Sequence, residues 1–129
     1  MKIRRIAAVG TLAAATAATA LLTASAAGAS SQAYGWVAAN GQLCVYQNAA
    51  YQVRGEGHAN LPGVTFRLRK TGGTTVAVSP GAVTDFTGEG RTSLGTFLGA
   101  GQYQLCANNN SPGSVYVKQL LILSDNEFN

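Results

Sequence analysis

The sequence predicts an all-β protein, an antiparallel β-sandwich of seven to eight strands held by one disulfide. Three observations carry that prediction. Short apolar runs rich in Val, Thr, Tyr and Phe alternate with Gly, Asn and Pro clusters. No long stretch repeats its apolar residues at helical spacing. The only two cysteines, Cys44 and Cys106, follow an export leader and so should meet oxidising conditions. Short β-branched and aromatic runs punctuated by turn residues are the pattern of sandwiches and barrels, and exported thiols are normally oxidised in pairs.

The leader comes first in the chain. Lys2, Arg4 and Arg5 form a charged start, Ile6 to Leu22 is an Ala-rich apolar stretch, and Ala27-Gly28-Ala29 is a small-residue cleavage site. Residues 1–29 therefore read as a secretion signal peptide, with the working chain starting at Ser30. The apolar stretch is short, broken by Thr and mostly Ala, unlike the roughly 20 strongly apolar residues of a spanning helix. The expectation is an extracellular protein that does not stay in the membrane. Charge is revised by the same cut. The whole chain carries 9 basic and 5 acidic residues, and losing the three basic residues of the leader brings it almost to balance. A basic excess would have pointed to nucleic acid; here it belongs to the leader, and no nucleic-acid partner is expected.

Residues 30–129 suffice for one domain with one core. Strands are predicted near Tyr34–Ala38, Gln42–Gln47, Tyr51–Arg54, Val64–Arg69, Thr75–Val78, Thr92–Phe97, Gln102–Ala107 and Val115–Leu123. The first contains Trp36, the sole tryptophan. It is either a first strand with Trp36 in the core, or an extended arm over residues 30–38 that inserts into a partner with Tyr34 and Trp36 as anchors. In the second, Cys44 shares parity with Gln42 and Tyr46, opposite Leu43 and Val45. In the seventh, Cys106 shares parity with Gln102 and Gln104, opposite Tyr103 and Leu105. Successive strand residues point to opposite faces. Both cysteines thus lie on the face away from the expected core, which predicts neighbouring strands bridged on an outer face, or a bulge that resets one register. In the fourth strand Val64, Phe66 and Leu68 face inward, and Thr65, Arg67 and Arg69 outward. The last strand is ambiguous. Val115, Val117, Leu121 and Leu123 agree in parity, yet Leu120 and Ile122 are apolar too. Either both faces are buried, or Leu120 and Ile122 leave an apolar stripe for a partner.

Turns are expected at Asn40-Gly41, Pro62-Gly63, Gly72-Gly73, Pro80-Gly81 and through Asn108–Gly113, where Gly and Asn tolerate positive φ and Pro presets its own. The segment Gly55–Asn60, with the sole histidine His58, reads as a flexible polar loop. Asp85 and Glu89 read as part of a glycine-rich turn.

Between Gly63 and Ala107 the chain resembles the transthyretin-like (prealbumin-like) sandwich modules of bacterial secreted proteins. The resemblance rests on Gly63-Val64-Thr65-Phe66-Arg67-Leu68, on a turn-like Thr84-Asp85-Phe86-Thr87-Gly88, and on Leu98-Gly99-Ala100-Gly101-Gln102-Tyr103-Gln104-Leu105. It implies a sandwich fold and little about activity. In size, leader and single-domain plan the chain is also similar to the small adaptor subunits of bacterial umbrella toxin particles.

Catalytic groups are sparse. His58 with Glu56 has no identifiable nucleophile, Asp85 and Glu89 are two acids on one expected turn, and no Cys/His cluster or phosphate loop is present. The expectation is a protein without enzymatic activity, metal or cofactor: an interaction module, adaptor or structural subunit that binds another secreted protein. Tyr46 and Tyr51, flanking Gln47–Ala50, are further contact candidates for a partner or a sugar ring. A carbohydrate- or cell-wall-binding module is the alternative. An inhibitor of a secreted protease, presenting Gly55–Gly63, is the third reading.

Overall fold

A computed structural model describes residues 30–79 and 83–128 of the 129-residue chain. The expected leader (1–29) and the Pro80-Gly81 turn lie outside the described residues. Eight strands are present: β1 (Ser30–Val37), β2 (Gln42–Ala49), β3 (Gln52–Ala59), β4 (Val64–Lys70), β5 (Thr75–Val78), β6 (Asp85–Arg91), β7 (Gly101–Asn109) and β8 (Val115–Ser124). Single 3₁₀ turns follow β6 (Thr92–Leu94) and β8 (Asp125–Glu127). The strands form two four-stranded sheets, sheet A in the order β1-β8-β3-β6 and sheet B in the order β2-β7-β4-β5. All pairings are antiparallel. Only β4 and β5 are both consecutive and neighbours in one sheet; every other connection passes from one sheet to the other. The fold is the predicted β-sandwich.

The core lies between the sheets. Val64, Phe66 and Leu68 of β4 meet Tyr103, Leu105 and Ala107 of β7, and sheet A adds Ala33, Val37, Val53, Val115, Val117, Leu120 and Ile122. Tyr103 is wholly buried, and its hydroxyl donates 2.7 Å to the Gly99 carbonyl. Burial pushes its phenol pKa up. The cysteines pair as their parity predicts. Cys44 and Cys106 are direct partners on adjacent β2 and β7, bonded on the outer side of sheet B with Cα atoms 4.1 Å apart.

Three placements differ from expectation. First, β3 runs through Ala59, so Gly55–Ala59 is a strand in the interior of sheet A, not a loop. Second, the strand expected at Thr92–Phe97 lies earlier, at Asp85–Arg91, and the supposed Asp85 turn is its first residue. Both misplacements share a cause. Gly55, Gly57, Gly88 and Gly90 have weak strand propensity and read as loop, yet all four sit on the buried side of their strands. There Gly55 and Gly57 make room for Leu105 and Phe66 of sheet B, Gly88 for Ala77 and the Phe86 ring, and Gly90 for the Thr96 carbonyl and Val76. A Cβ on Gly57 would lie 2.4 and 2.5 Å from the Phe66 ring, and one on Gly88 would lie 2.5 Å from the Ala77 Cβ. Phe66 is itself fixed, fully buried and stacked on Phe86 at 5.8 Å. A glycine inside a strand often marks such a close approach. Gly57→Ala should therefore destabilise the domain by about 1–3 kcal/mol through overpacking. Urea unfolding of G57A against G57A/F66L checks it, since the smaller residue at 66 should recover part of the loss.

Third, β8 carries an irregularity. Ala33 pairs with Leu120 but Gly35 with Val117, and on the other side His58 pairs with Gln119 but Ala59 with Val117. The extra residue around Lys118–Gln119 reverses the inward parity, because one inserted residue exchanges faces. Leu120 and Ile122 are therefore core residues with no exposed surface, which corrects their reading as partner contacts. The outward pair is Leu121 and Leu123, each partly exposed.

Candidate functional site

The outer face of sheet A is built in rows set by the register. Across β1, β8, β3 and β6 one row is Ser30, Leu123, Arg54, Glu89, and the next is Gln32, Leu121, Glu56, Thr87. Gln119, His58 and Asp85 form a third, and Trp36 opposite Tyr116 a fourth. The face divides into two halves. The β3/β6 half is charged, and its charges are matched. Arg54 Nε lies 3.1 Å from Glu56, Arg91 forks onto Glu89 at 2.9 and 3.3 Å, and His58 Nδ1 lies 2.7 Å from Asp85 Oδ1. The His58 hydrogen bond, helped by Thr84, lowers the Asp85 pKa below the usual carboxylate value. The Arg91 hydrogen bond lowers that of Glu89.

This half offers no assembled catalytic set. The partner of His58 is Asp85 across the strand pair, whereas the sequence reading placed Glu56 beside it. No hydroxyl or thiol among the described residues bonds to the other ring nitrogen. Glu89 is occupied by Arg91, so Asp85 and Glu89 do not form a free acid–base pair.

The β1/β8 half carries an aromatic cluster, Tyr34, Trp36 and Tyr116, and a leucine pair, Leu121 and Leu123, with exposed Gln32 and Lys118 and half-buried Gln119 among them. Trp36 is 61% exposed and Tyr34 48% exposed. Trp36 meets Tyr116 edge-on, ring centroids 5.3 Å apart with planes at 64°. Leu121 and Leu123 continue the surface along β8. Neither earlier alternative for this segment holds as stated. Residues 30–37 form a hydrogen-bonded edge strand and not a free arm, and Trp36 points out of the core. The strand alternates: Ser31, Ala33 and Val37 are buried, while Tyr34 and Trp36 share the other face.

The remaining tyrosine candidates lie elsewhere. Tyr46 is on the outer face of sheet B, opposite Gln104. Tyr51 sits at the β2–β3 turn, with its hydroxyl bonded to Asn126. The structure therefore brings Tyr34 and Trp36 together but places Tyr46 and Tyr51 apart from them and from each other. The segment once read as a presented inhibitory loop, Gly55–Gly63, is mostly strand β3 and leaves only the turn at residues 60–63.

Three buried polar residues that sequence reasoning passed over hold the site's frame. Gln47 accepts from Ser31 Oγ at 2.8 Å and donates to Ser124 Oγ at 3.2 Å, joining β2 of sheet B to β1 and β8 of sheet A. Asn109 donates 2.8 Å bonds to the Val37 and Gly113 carbonyls, tying the end of β1 to the β7–β8 turn. Asp125 accepts the backbone N–H groups of Ala50, Tyr51 and Gln52. The Asn cluster at Asn108–Asn110, expected only as a turn, and the run Ser124-Asp125-Asn126 were the available signals. Among the described residues no three His, Cys, Asp or Glu side chains gather as a metal site.

No family model matches this chain, and no curated protein matches it. Solved structures do. The pre-peptidase C-terminal domain of a Bacillus anthracis collagenase superposes with a TM-score of 0.51 at 11% identity, over 77% of this chain and 91% of that one. PliG of Aeromonas hydrophila, a periplasmic inhibitor of g-type lysozyme, superposes with a TM-score of 0.50 at 12% identity, over 74% of this chain and 86% of that one. At these identities the likeness is one of fold, the two-sheet sandwich. Neither neighbour is described as transthyretin-like.

Proposed function

We propose that this chain is exported with loss of residues 1–29 and works as a non-catalytic interaction module, an adaptor or structural subunit of an extracellular protein assembly. It docks another secreted protein on the β1/β8 half of sheet A. The observation that carries this reading is the outward placement of Trp36 against Tyr116, on the same strand face as exposed Tyr34. Exposed aromatic clusters of this kind are where binding energy concentrates in protein interfaces. The charged β3/β6 half forms a polar rim, whose matched ion pairs favour a partner of complementary charge pattern.

A protein fits this half better than a sugar. Sugar platforms present ring faces, and here the two rings meet edge-on at 64°. The A. hydrophila neighbour, by its description an inhibitor of a lysozyme, supports the reading that a sandwich of this shape can serve a protein partner. The umbrella-toxin adaptors that the chain resembles in size and plan are one instance of the proposed class.

Trp36 is the sole tryptophan, so it reports on the site directly. The secreted chain should have an intact mass that starts at Ser30 and a solvent-exposed tryptophan emission. Capture from culture fluid with tagged wild-type protein should recover a stoichiometric protein, and its addition should shift the emission to the blue. Trp36→Ala with Tyr34→Ala should weaken that capture at least thirtyfold, the scale of about 2 kcal/mol for an interface anchor. Undiminished capture by the double variant would overturn the assignment of this face.

A further inference from the structure

The carboxylates are confined to one side of the molecule. All five acidic residues of the chain, Glu56, Asp85, Glu89, Asp125 and Glu127, lie on β3, on β6 or in the turn after β8. The four strands of sheet B carry none. They carry instead Arg67, Arg69 and Lys70, all on β4. No carboxylate pairs with these three cations among the described residues. Arg67 reaches only Thr75 Oγ1 at 3.4 Å, and Lys70 only the Leu98 carbonyl at 3.4 Å. The outward residues on the β7 and β2 side of the two arginines are mainly amides, and on the β5 side Val78 and Thr75 stand beside Arg67 and Arg69. Arg69 stands opposite Gln104, itself opposite Tyr46, and Thr65 stands opposite Asn108, itself opposite Gln42. Between these rows the disulfide lies beside Arg67. The result is a cleft of about 230 Å³ lined by Gln42, Arg67, Arg69, Gln104, Cys106 and Asn108.

We infer that this cleft on the outer face of sheet B is a binding site for an anionic polysaccharide, a hydroxyl-rich chain bearing carboxylate or phosphate groups. Two arginines on alternate residues of one strand, their Cα atoms about 6.7 Å apart along it, offer planar guanidinium forks that match carboxylate or phosphate oxygens. Amide side chains both donate and accept, which suits sugar hydroxyls that do the same. The disulfide keeps β2 and β7 in register, so the amides and arginines are held before the ligand arrives. An acidic protein segment would meet the same cations. However, the lining offers no apolar pocket for the anchor residue that protein interfaces centre on. The site is separate from the docking face above, because the two lie on opposite outer surfaces of the sandwich.

The test uses the secreted chain and three polymers: polygalacturonate, a phosphomannan and neutral dextran, with polyglutamate as the acidic-peptide control. Retention on polygalacturonate or on the phosphate polymer, and not on dextran, is expected, and the retaining polymer identifies the anion. Arg67→Gln with Arg69→Gln should weaken that retention at least tenfold with near-ultraviolet circular dichroism unchanged. Gln42→Ala, which alters no charge, should weaken it about threefold to fivefold on the sugar polymer and leave polyglutamate unaffected. Trp36→Ala should not change it, which separates this site from the protein-docking face. Wild-type retention on polyglutamate equal to that on the sugar polymers, undiminished retention of the arginine variant, or no retention of the wild type on either anionic sugar polymer would each overturn the inference.

Discussion

Replacing Cys44 and Cys106 together by serine is expected to lower the unfolding free energy by about 4 kcal/mol. The bridge closes a loop with a sequence separation of 62. The chain-entropy account gives roughly that value for such a loop. For a domain of this size, total stability is on the order of 5–15 kcal/mol. The melting temperature should accordingly fall by roughly 15–30 °C. The pair bridges two strands of sheet B only, β2 and β7. A double variant that remains folded at low temperature should therefore keep the exposed emission of Trp36 on sheet A. Thermal and urea unfolding of the oxidised, reduced and double-serine proteins measure the effect. A change below about 1 kcal/mol would mean that β2–β7 pairing is already restricted in the unfolded ensemble, contrary to the entropic account.

Asp125→Ala is expected to have the second large effect, about 3–4 kcal/mol of destabilisation. The carboxylate is nearly buried. Its Oδ1 accepts from Tyr51 at 2.8 Å, Ala50 at 3.0 Å and Gln52 at 3.3 Å, and its Oδ2 accepts from Ala50 at 3.0 Å. Gln52 returns the tie through its side chain, donating to the Asp125 and Phe128 carbonyls at 2.6 and 2.9 Å. Hydrogen bonds to an ionised acceptor are worth about 1.5–3 kcal/mol each, and removing it leaves several backbone donors short of a partner. Asp125 also holds a left-handed φ of 55°, which a plain Cβ residue resists and Asn tolerates. Asp125→Asn should therefore lose less than half as much. Amide exchange at residues 50–52 separates the two accounts: it should accelerate strongly in the alanine variant and only modestly in the asparagine one. Equal losses for both variants would place the effect in the negative charge alone.

Much of the scaffold was legible in the residues. Alternation in Val64–Leu68 identified a core strand because that strand is covered on one side only, and Tyr103 and Leu105 face the core as their parity predicts although Gln104 and Cys106 are buried as well. The same parity placed Cys44 and Cys106 on an outer face, where they are joined. What escaped was contextual. Glycines at 55, 57, 88 and 90 look like loop in isolation, and only the facing Phe66, Leu105, Ala77 and Val76 explain them. The site suffered likewise. Tyr34 and Trp36 share an exposed strand face, but their segment was assigned to an arm or to the core, since nothing local says that an edge strand has its aromatic side turned outward.

By itself the sequence determined the fold class of this protein: short antiparallel β segments forming a sandwich, with a two-cysteine lock. These follow from composition, spacing and parity, which are local quantities. Only the tertiary structure decided which leucines face out, because one extra residue near Lys118 exchanges the two faces of β8 beyond it. It also decided that the carboxylates gather around sheet A while Arg67 and Arg69 stand without them on sheet B. Strands far apart in the chain become neighbours through pairing, so which charges share a surface is a property of strand order and register, and neither is written in any single segment.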